Sequence, residues 1–509
     1  LCIRARKRGE IISTFVRNDG EGKNPGAYVA EPKPGFKNHI ISFDANSLYP
    51  NVMISLNTSP ETKVGKVDMV GDKVVINHVS GKQFSLDKTG FVKFLKKEEC
   101  SLSKAGFMFT QKRKGIIPEF LEYYYNQRVE IKKKLFTTKQ QLKKDKDNIA
   151  LKYEVERLNT SQMVIKILIN SCYGYMGNKR APIGDDDIAS SVTLTGQAVI
   201  KQSNKFIKEY IKQQVPSLSE HELEQNIIYN DTDSSYVSIS PIIESGLIKF
   251  WDGDQVHQET YDEIQRIEDF LNDKIERWAK KAILTKDSRF VFKRECIADT
   301  GIFLQKKRYV MHILDDEGIK ENKFKYTGVE VVRTTMPDAI KPYAKRIIET
   351  MLSTQSLKET NKVLNDTYDI FKTLTAEQIA FVMGVKGYEK YAVQCKQFET
   401  CKGMPIHVKS AYFYNLMLDM LKTGNKYEKL SSGDKVRYLY IEQPNKYRLD
   451  TIGFKYDFPE EFNSLYKVDY EKMFEKILFQ GIERFYNNVG WTIRKPSNNV
   501  QTELFDLFS

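Results

Sequence analysis

Short apolar runs alternate with Gly, Pro and Asn breaks through the first part of the chain, up to about residue 110. Runs of this length, bounded by turn-forming residues, are typical of β-strands joined by loops. The predicted strands are 40–43, 64–67, 74–76 and 90–95.

The pattern then changes to a helical period. From Pro118, which is well placed in a first helical turn, to about residue 144, the chain is rich in Leu, Tyr, Gln, Lys and Glu. A polar break at 143–148 separates this segment from a second one that continues to about Tyr173. The two segments predict an antiparallel helical hairpin.

Strand and helix patterns are mixed in the rest of the chain. Predicted strands return after the helical hairpin, so that they flank it on both sides. From about Pro337 the pattern is mostly helical with irregular stretches. Between the hairpin and Pro337, the predicted elements are a helix at 190–213, a β-hairpin around Asp231 and Asp233, a helix at 261–281, and strands at 290–297, 307–314 and 323–332.

Composition indicates a soluble, intracellular protein, which we expect in the cytoplasm. The chain has 509 residues and is 41% hydrophobic, enough to bury several cores, and no uninterrupted apolar run is long enough to span a membrane. The net charge of +12 favours a polyanionic partner such as nucleic acid, although a solvated basic surface is the alternative.

Cysteine and histidine patterns predict neither a zinc ribbon nor a disulfide framework. The six cysteines have no C-x-x-C spacing and the six histidines are scattered, which fits a reducing compartment. No secretory or transit segment is evident. Because the chain starts with Leu1 and a basic string at 4–8, we expect a fragment or one half of a split protein.

Two acidic segments carry the strongest chemical signal, 41–50 (ISFDANSLYP) and 228–236 (IYNDTDSSY). Each places carboxylates at the end of an apolar run, where an unpaired charge is costly unless a cation or partner is present. Carboxylates gathered in this way suit Mg²⁺, which takes one or two of them and keeps its other positions for water and phosphates. Taken alone, the tripeptide 231–233 fits a simple hairpin turn equally well.

Cationic and polar side chains recur on the faces of the predicted hairpin. Arg128 and Lys132 share a face of the first helix, and Lys166, Asn170 and Tyr173 share a face of the second. Basic helix faces are usually just solvated. Together with two acidic strand ends, however, they form the set that nucleotidyl transfer requires, with metals on the reacting oxygens and cations on the triphosphate.

These segments resemble the motifs of family B (alpha-like) DNA polymerases. Residues 44–50 (DANSLYP) resemble motif A, 166–174 (KILINSCYG) motif B and 231–234 (DTDS) motif C, in the same order and spacing. The resemblance covers essentially the whole chain. Segments most similar to the T-even bacteriophage enzymes are 25–32, 126–128 with Lys132, 293–298, 306–309 and 504–508.

The resemblance implies an α+β right-hand architecture with an antiparallel β palm, a helical-hairpin fingers insert and a mostly helical thumb. The implied boundaries are an upstream remnant at 1–15, palm at 16–114 and 179–331, fingers at 115–178, thumb at 332–500 and a clamp-binding tail at 501–509.

The resemblance also implies the chemistry, a DNA-templated DNA polymerase that serves phage DNA replication by two-metal nucleotidyl transfer. Two Mg²⁺ ions, with Mn²⁺ as an alternative, would be held by Asp44 and Asp233, with Asp231 and Glu295 as supporting carboxylates. Lys166 is the implied proton donor to the departing pyrophosphate.

Further residues are implied to bind the deoxynucleotide. Arg128, Lys132 and Lys166 would hold the β and γ phosphates, and the backbone amides of Ser47 and Leu48 would add donors. The Tyr49 ring would exclude a ribose 2′-hydroxyl; the alternative is a core tyrosine.

The resemblance also implies DNA contacts from two segments. Asn170 and Tyr173 would pack against the nascent base pair, and Gly174 would leave room for close approach. The DNA-binding string Lys306, Lys307, Arg308 and Tyr309 includes a lysine pair that would read the minor groove at the primer terminus.

The C-terminal tail has the spacing of a sliding-clamp-binding peptide that forms one helical turn. A last thumb helix is the alternative. The residues that carry this pattern are Gln501, Leu504, Phe505, Leu507 and Phe508.

Two departures limit the resemblance. Asn230 stands where motif C usually has Gly, and no room for a 3′→5′ exonuclease precedes Asp44, so we expect proofreading to be absent or supplied by a separate chain. Two alternatives stay open, a catalytically silent subunit that binds primer-template and clamp, and a protein-primed family B enzyme. An RNA-making enzyme conflicts with Tyr49.

Overall fold

The computed structural model describes residues 1–10, 25–178, 181–395, 398–399 and 401–496. The chain divides into two compact units. The first comprises Leu1–Glu31, His39–Ile297 and Asp316–Ile319, and the second comprises Pro32–Asn38, Ala298–Asp315 and Lys320–Ser509.

Helices and antiparallel strands build both units, which confirms the predicted α+β class. The helices in the described ranges are α1 (Cys2–Lys7), α2 (Leu48–Leu56), α3 (Lys88–Lys97), α4 (Ile116–Lys144), α5 (Ile149–Met176), α6 (Asp186–Gln214), α7 (Glu220–Asn226), α8 (Ser240–Glu244), α9 (Gln258–Ala282), α10 (Lys341–Thr354), α11 (Leu357–Phe371), α12 (Ala376–Ile379), α13 (Tyr388–Ala392), α14 (Ile406–Met420), α15 (Glu460–Asn463), α16 (Tyr470–Phe474) and α17 (Gln480–Asn488). The strands are β1 (Phe36–Ala45), β2 (Lys63–Val70), β3 (Lys73–His78), β4 (Gln83–Leu86), β5 (Cys100–Leu102), β6 (Phe107–Thr110), β7 (Ile227–Asp231), β8 (Ser234–Ser238), β9 (Trp251–Asp252), β10 (Gln255–Val256), β11 (Phe292–Gln305), β12 (Arg308–Asp316), β13 (Ile319–Thr327), β14 (Phe381–Gly384), β15 (Lys435–Tyr440) and β16 (Thr451–Phe454).

One sheet of the first unit carries both acidic segments. β1 pairs antiparallel with β8, which places Asp44 opposite Ser234, and β8 pairs antiparallel with β7. The start of β11 lies on the other side of β1. Ile40, Ile41 and Phe43 are fully buried, which explains the continuous apolar run before Asp44.

The predicted helical hairpin is confirmed. α4 and α5 pack against each other, and the chain turns between them within the predicted polar break. Asn148 ends the turn because its side chain accepts a hydrogen bond from the Leu151 amide at 3.0 Å and so caps α5.

The predicted strand at 90–95 is wrong, because this segment lies in α3. Asp87 caps the helix by accepting a hydrogen bond from the Gly90 amide at 2.9 Å, and Phe91 and Leu95, one turn apart, are both buried. α3 packs against a sheet with strand order β4-β3-β2-β6-β5. The helix α2 was not predicted either, since Pro50 reads as a break although a first helical turn tolerates it.

The second unit has its own apolar core, formed by α10, α11, α14, α17 and the sheet β14-β15-β16. The sequence pattern did not predict this sheet. The predicted strand at 323–332 is wrong in its second half, because β13 ends at Thr327 and a 3₁₀ turn follows at Glu330–Val332. Gly328, with a φ of 61°, breaks the strand between them.

The cysteine prediction is wrong at one pair, since Cys395 and Cys401 form a disulfide. Cys100, Cys172 and Cys296 are buried. Across the described ranges, each helix is too short or too polar to cross a bilayer.

Candidate active site

A tight turn follows Asp44 at the end of β1. Ser47 occupies the N-cap position of α2 in a left-handed conformation, with a φ of 48°, and its side chain makes no capping hydrogen bond. The Asn51 side chain donates to the Asn46 carbonyl at 2.6 Å, and the Asn46 side chain donates to the Tyr125 hydroxyl on α4 at 2.7 Å. These bonds fix the position of Tyr49, in the first turn of α2, relative to Asp44.

A second tight turn holds Asp233 between β7 and β8. Thr232 has a φ of 61°, and the Asp233 amide donates to the Asp231 carbonyl at 2.6 Å. The Ala45 amide donates to the Asp233 carbonyl at 2.8 Å. The two acidic strand ends, distant in sequence, therefore lie side by side.

Both ends open into a cleft of about 990 Å³ within the first unit. Its lining joins the two strand ends to one face of the α4–α5 hairpin. The predicted site residues that line it are Asp44, Ser47, Leu48, Tyr49, Arg128, Lys132, Lys166, Asn170, Tyr173, Asp233 and Glu295. Lining residues that the sequence did not single out include Gln265, Glu268 and Glu317, while Lys293 and Arg294 belong to the segment 293–298 that carried part of the resemblance.

Two predicted site residues lie beside the cleft, since its described lining includes neither Asp231 nor Gly174. The Asp231 carboxylate accepts a hydrogen bond from the Thr232 hydroxyl at 3.2 Å. Gly174 lies in α5, where an added Cβ would meet no atom within 4 Å.

The predicted DNA-binding string lies in the second unit. Lys306 and Lys307 form the turn between β11 and β12, and Lys307 has a φ of 61°. Arg308 forms an ion pair with Glu330. Tyr309 is 5% exposed and stacks on Phe303, with ring centroids 5.1 Å apart, so it is placed as a core residue. The predicted clamp-binding residues lie outside the described residues.

The two aspartates interact electrostatically. Burial, followed by the charge of Asp233, raises the pKa of Asp44 to about 7, although the Ser234 hydroxyl donates to its carboxylate at 2.8 Å. Burial also raises the pKa of Asp233 to about 6, and Lys166 opposes both shifts. The site thus holds more negative charge than Lys166 offsets, which is the condition that a bound cation relieves.

Glu295 adds to this negative charge from β11. Its carboxylate accepts a hydrogen bond from the Ser42 hydroxyl at 3.1 Å, and its charge contributes to the raised pKa of both Asp44 and Asp233. Within the described ranges, however, no three His, Cys, Asp or Glu side chains come together closely enough to form a metal-binding group. Any ion here would rest mainly on the aspartate pair.

Cations of α4 line the same cleft as the aspartates. The Arg128 guanidinium donates to the Ser47 hydroxyl at 3.5 Å, while its buried Nε has no acceptor among the described residues. Burial also lowers the pKa of Arg128. The Lys132 Nζ lies 3.3 Å from the Glu317 carboxylate. A buried guanidinium with an unsatisfied donor is suited to bind an anion.

Tyr49 is half-buried and faces the cleft. Its ring packs against Tyr173, with centroids 4.7 Å apart. The helix α6 also packs against this ring, so closely that a Cβ on Gly196 would lie 3.1 Å from Tyr49 Cε1. Burial raises the pKa of Tyr49 to about 12, so its hydroxyl stays neutral at physiological pH. Its place in the cleft lining agrees with the predicted role in nucleotide binding, which stays a prediction.

Sequence reasoning missed the partners that hold these residues in place, such as Tyr125, Gly196 and Glu317. They lie far in sequence from the side chains they contact. A glycine inside a long helical pattern is the one available signal, since it often marks a close packing contact.

The sequence model of DNA polymerase family B matches residues 1–489. The chain belongs to DNA polymerase family B. It is similar to the DNA-directed DNA polymerase of Escherichia phage RB69, with 26% identity over 535 residues that cover 95% of this chain and 56% of that protein. It is also similar to the DNA-directed DNA polymerase of Enterobacteria phage T4, with 26% identity over 516 residues, 89% of this chain and 54% of that protein.

The chain is also similar to DNA polymerase 1 of Pyrococcus abyssi (strain GE5 / Orsay), with 26% identity over 344 residues, 67% of this chain and 34% of that protein. The chain spans about half the length of the two phage relatives. The predicted resemblance to family B, and to its T-even phage members, is confirmed.

Proposed function

We propose that this protein is a DNA-templated DNA polymerase that adds deoxynucleotides to a primer 3′-hydroxyl. The observation that supports this most is that Asp44 and Asp233 line one cleft together with Lys166 and Arg128. Nucleotidyl transfer requires this combination of a carboxylate pair and triphosphate-binding cations. Family membership makes this reaction the expected one.

The aspartate pair fits divalent cations. Asp44 and Asp233 would hold two Mg²⁺ ions, with Asp231 and Glu295 supporting them by charge, and Mn²⁺ would fit the same oxygen ligands. When bound, the ions supply polarisation of the primer 3′-oxygen and neutralisation of the leaving pyrophosphate. Two protein carboxylates suffice, because Mg²⁺ keeps positions for water and substrate phosphates.

The hairpin helices would bind the triphosphate. Arg128 offers its unsatisfied Nε and Lys132 its Nζ, while the first amides of α2 after Ser47 lack partners within the helix and favour an anion. Lys166 would hold a proton for the departing pyrophosphate, since it lines the same cleft and acts electrostatically on both aspartates.

The floor of the cleft would select the nucleotide. The Tyr49 ring would clash with a ribose 2′-hydroxyl, so deoxynucleotides are the proposed substrates. Asn170 and Tyr173 would contact the nascent base pair, and the open surface at Gly174 would admit the template strand.

DNA binding would involve the lysine turn and the general positive charge. Lys306 and Lys307 would contact the duplex near the primer terminus, whereas the pairing of Arg308 with Glu330 and the burial of Tyr309 suit supporting roles. The domains would then be a palm at 16–114 and 179–331, fingers at 115–178 and a thumb at 332–500. Phage DNA replication, with a sliding clamp and a separate proofreading chain as partners in the cytoplasm of the host, is the proposed setting.

Primer extension tests the proposal. The chain should extend a primer on a DNA template with Mg²⁺, and Asp44→Ala or Asp233→Ala should each lower kcat by about 1,000-fold or more. Primer-template affinity should change by less than about two-fold, because Lys and Arg carry it. Asp273→Ala on the exposed face of α9 is the matched control.

Two results would overturn the proposal. The first is near-parental turnover in both aspartate variants. The second is a parent chain that binds primer-template but extends no primer, which would favour the catalytically silent subunit.

A further inference from the structure

Asn230 occupies the position before the first aspartate of the β7–β8 turn, where family B motif C usually has glycine. We propose that Asn230 and Asn204 are positioning residues, which orient the Asp233 turn through a pair of side-chain amides. The inference rests on the proposed role of Asp233 in nucleotidyl transfer.

The contact between the two amides is reciprocal. The Asn204 side chain, on α6, donates to the Asn230 side-chain oxygen at 2.8 Å, and the Asn230 amide donates back to Asn204 at 3.2 Å. The Asn230 amide also donates to the Ser235 hydroxyl at 2.7 Å, which in turn donates to Asn204 at 3.1 Å. Since Asn230 is only 1% exposed, water cannot replace these partners.

This network joins both strands of the turn to one helix. Asn230 and Ser235 lie opposite each other in the β7–β8 ladder, with the Asp231 to Ser234 turn beyond them. Their shared partner Asn204 belongs to the long helix α6, which also supports Tyr49 through Gly196. A shift of Asn204 would therefore be passed to the turn that carries Asp233.

Backbone conformation does not explain the choice of residue. In the β7–β8 turn, Thr232 has a positive φ whereas Asn230 does not, so position 230 does not require glycine. Asparagine can therefore stand here without strain, and its amide supplies donors and an acceptor that glycine lacks. Both amides are neutral, so the network orients the turn without adding charge beside the aspartates.

A double-mutant cycle in the full chain tests the coupling. Asn204→Ala and Asn230→Ala should each lower kcat by about 10-fold, the usual effect of removing a group that orients a metal-binding side chain. The double variant should lose no more than the worse single variant, because either change breaks the same network. KM for deoxynucleotide and primer-template affinity should stay within about two-fold.

A second readout does not depend on turnover. Mn²⁺ titration followed by electron paramagnetic resonance, without nucleotide or DNA, should show weaker binding in both single variants, by about 10-fold. If the parent extends no primer, the proposed function fails; if the parent is active and both variants keep its kcat and Mn²⁺ affinity, only this inference fails.

A control variant and a milder substitution distinguish an effect on the Asp233 turn from a general loss of stability. Asn415→Ala removes a buried amide in the second unit, where Asn415 donates to the Leu430 carbonyl at 2.7 Å, and should lower Tm without changing kcat or Mn²⁺ affinity. Asn204→Ser keeps a hydroxyl and should fall between the parent and Asn204→Ala. If Asn415→Ala lowers kcat as much as Asn204→Ala does for a similar loss of Tm, the inference is overturned.

Discussion

Asp44 and Asp233 illustrate how single residues here are held in an unfavourable state. Burial disfavours the charged form of both, and the charge of Asp233 adds to this effect at Asp44 as the charge of Asp231 does at Asp233. Lys166 opposes the pKa shift at both residues, and the Ser234 hydroxyl opposes it at Asp44. Such a pair destabilises the metal-free protein when both carboxylates are ionised. The carboxylate pair proposed to hold metal therefore lowers the stability of the metal-free protein.

That cost predicts a pH-dependent stabilisation by Asp44→Asn. The folded pKa of about 7 lies above the ordinary value of 3.8, so the folded state disfavours the ionised form and the penalty is full only above the folded value. In EDTA at pH 8, Asp44→Asn should raise the free energy of unfolding by about 1 to 3 kcal/mol. The gain should shrink as the pH falls below about 7 and vanish near pH 4.

Chemical denaturation at several pH values measures this difference. Asp273→Asn is the control, since Asp273 is half-exposed and paired with Arg277. A gain at pH 8 that persists unchanged at pH 4 would contradict the electrostatic explanation.

Substitutions at Tyr49 and Gly196 should have different effects on nucleotide incorporation. Tyr49→Ala should lower the ratio of kcat/KM for deoxy over ribo substrates by about 100-fold or more, because the proposed clash is removed. Gly196→Ala should instead raise KM for deoxynucleotide, since the added methyl pushes the ring into the cleft.

Single-nucleotide incorporation with both sugars checks these effects. Gly481→Ala, in a helix where the added Cβ would meet no atom closer than 3.8 Å, is the matched control. An unchanged deoxy over ribo ratio in Tyr49→Ala would end the selection hypothesis.

At the scale of elements, the α4–α5 hairpin places cations over a sheet that carries carboxylates. Lys132 meets Glu317 from the turn after β12, and Asn46 reaches Tyr125. Both contacts join the hairpin to the sheet that it faces. The ion pair is half-exposed, so it contributes little stability and a triphosphate can displace it.

Neutralising Lys132 should therefore affect nucleotide binding more than folding. Lys132→Ala should raise KM for deoxynucleotide by about 10-fold while Tm changes little, because only an exposed ion pair is lost. The matched control is Lys134→Ala, an exposed lysine of the same helix outside the cleft lining. Equal KM values in the two variants would count against triphosphate binding by Lys132.

At the scale of the whole molecule, the chain has two compact units. The first unit holds the candidate active site and the second holds the lysine turn. The net charge of +12 suits the whole chain to bind DNA phosphates with a steep dependence on salt. The tail predicts a further partner.

Deletion of 501–509 should shorten products made with the cognate sliding clamp and leave clamp-free single-nucleotide incorporation unchanged. Burial of the tail's apolar side chains would give modest affinity, which tethering converts into long synthesis. Product lengths on a long primed template check this, with Leu504→Ala and Phe508→Ala as smaller changes. Equal loss with and without clamp would show that the tail belongs to the thumb.

Local patterns alone determined a large part of this protein. The helical hairpin, its capped break at Asn148 and the turn at Asp231 to Asp233 follow from residues close in sequence. The motifs at Asp44, Lys166 and Asp233 were sufficient to predict family B, because each is a short string whose chemistry is specific in combination.

Only the tertiary structure decided which distant groups meet. The α3 helix depends on a cap at Asp87 and a sheet to bury Phe91, so a short apolar run there does not indicate a strand. Pairings such as Asn204 with Asn230, or Gly196 beneath Tyr49, join residues from different elements. Periodicity reports which face of an element is apolar, whereas the identity of the opposing side chain depends on how the elements pack.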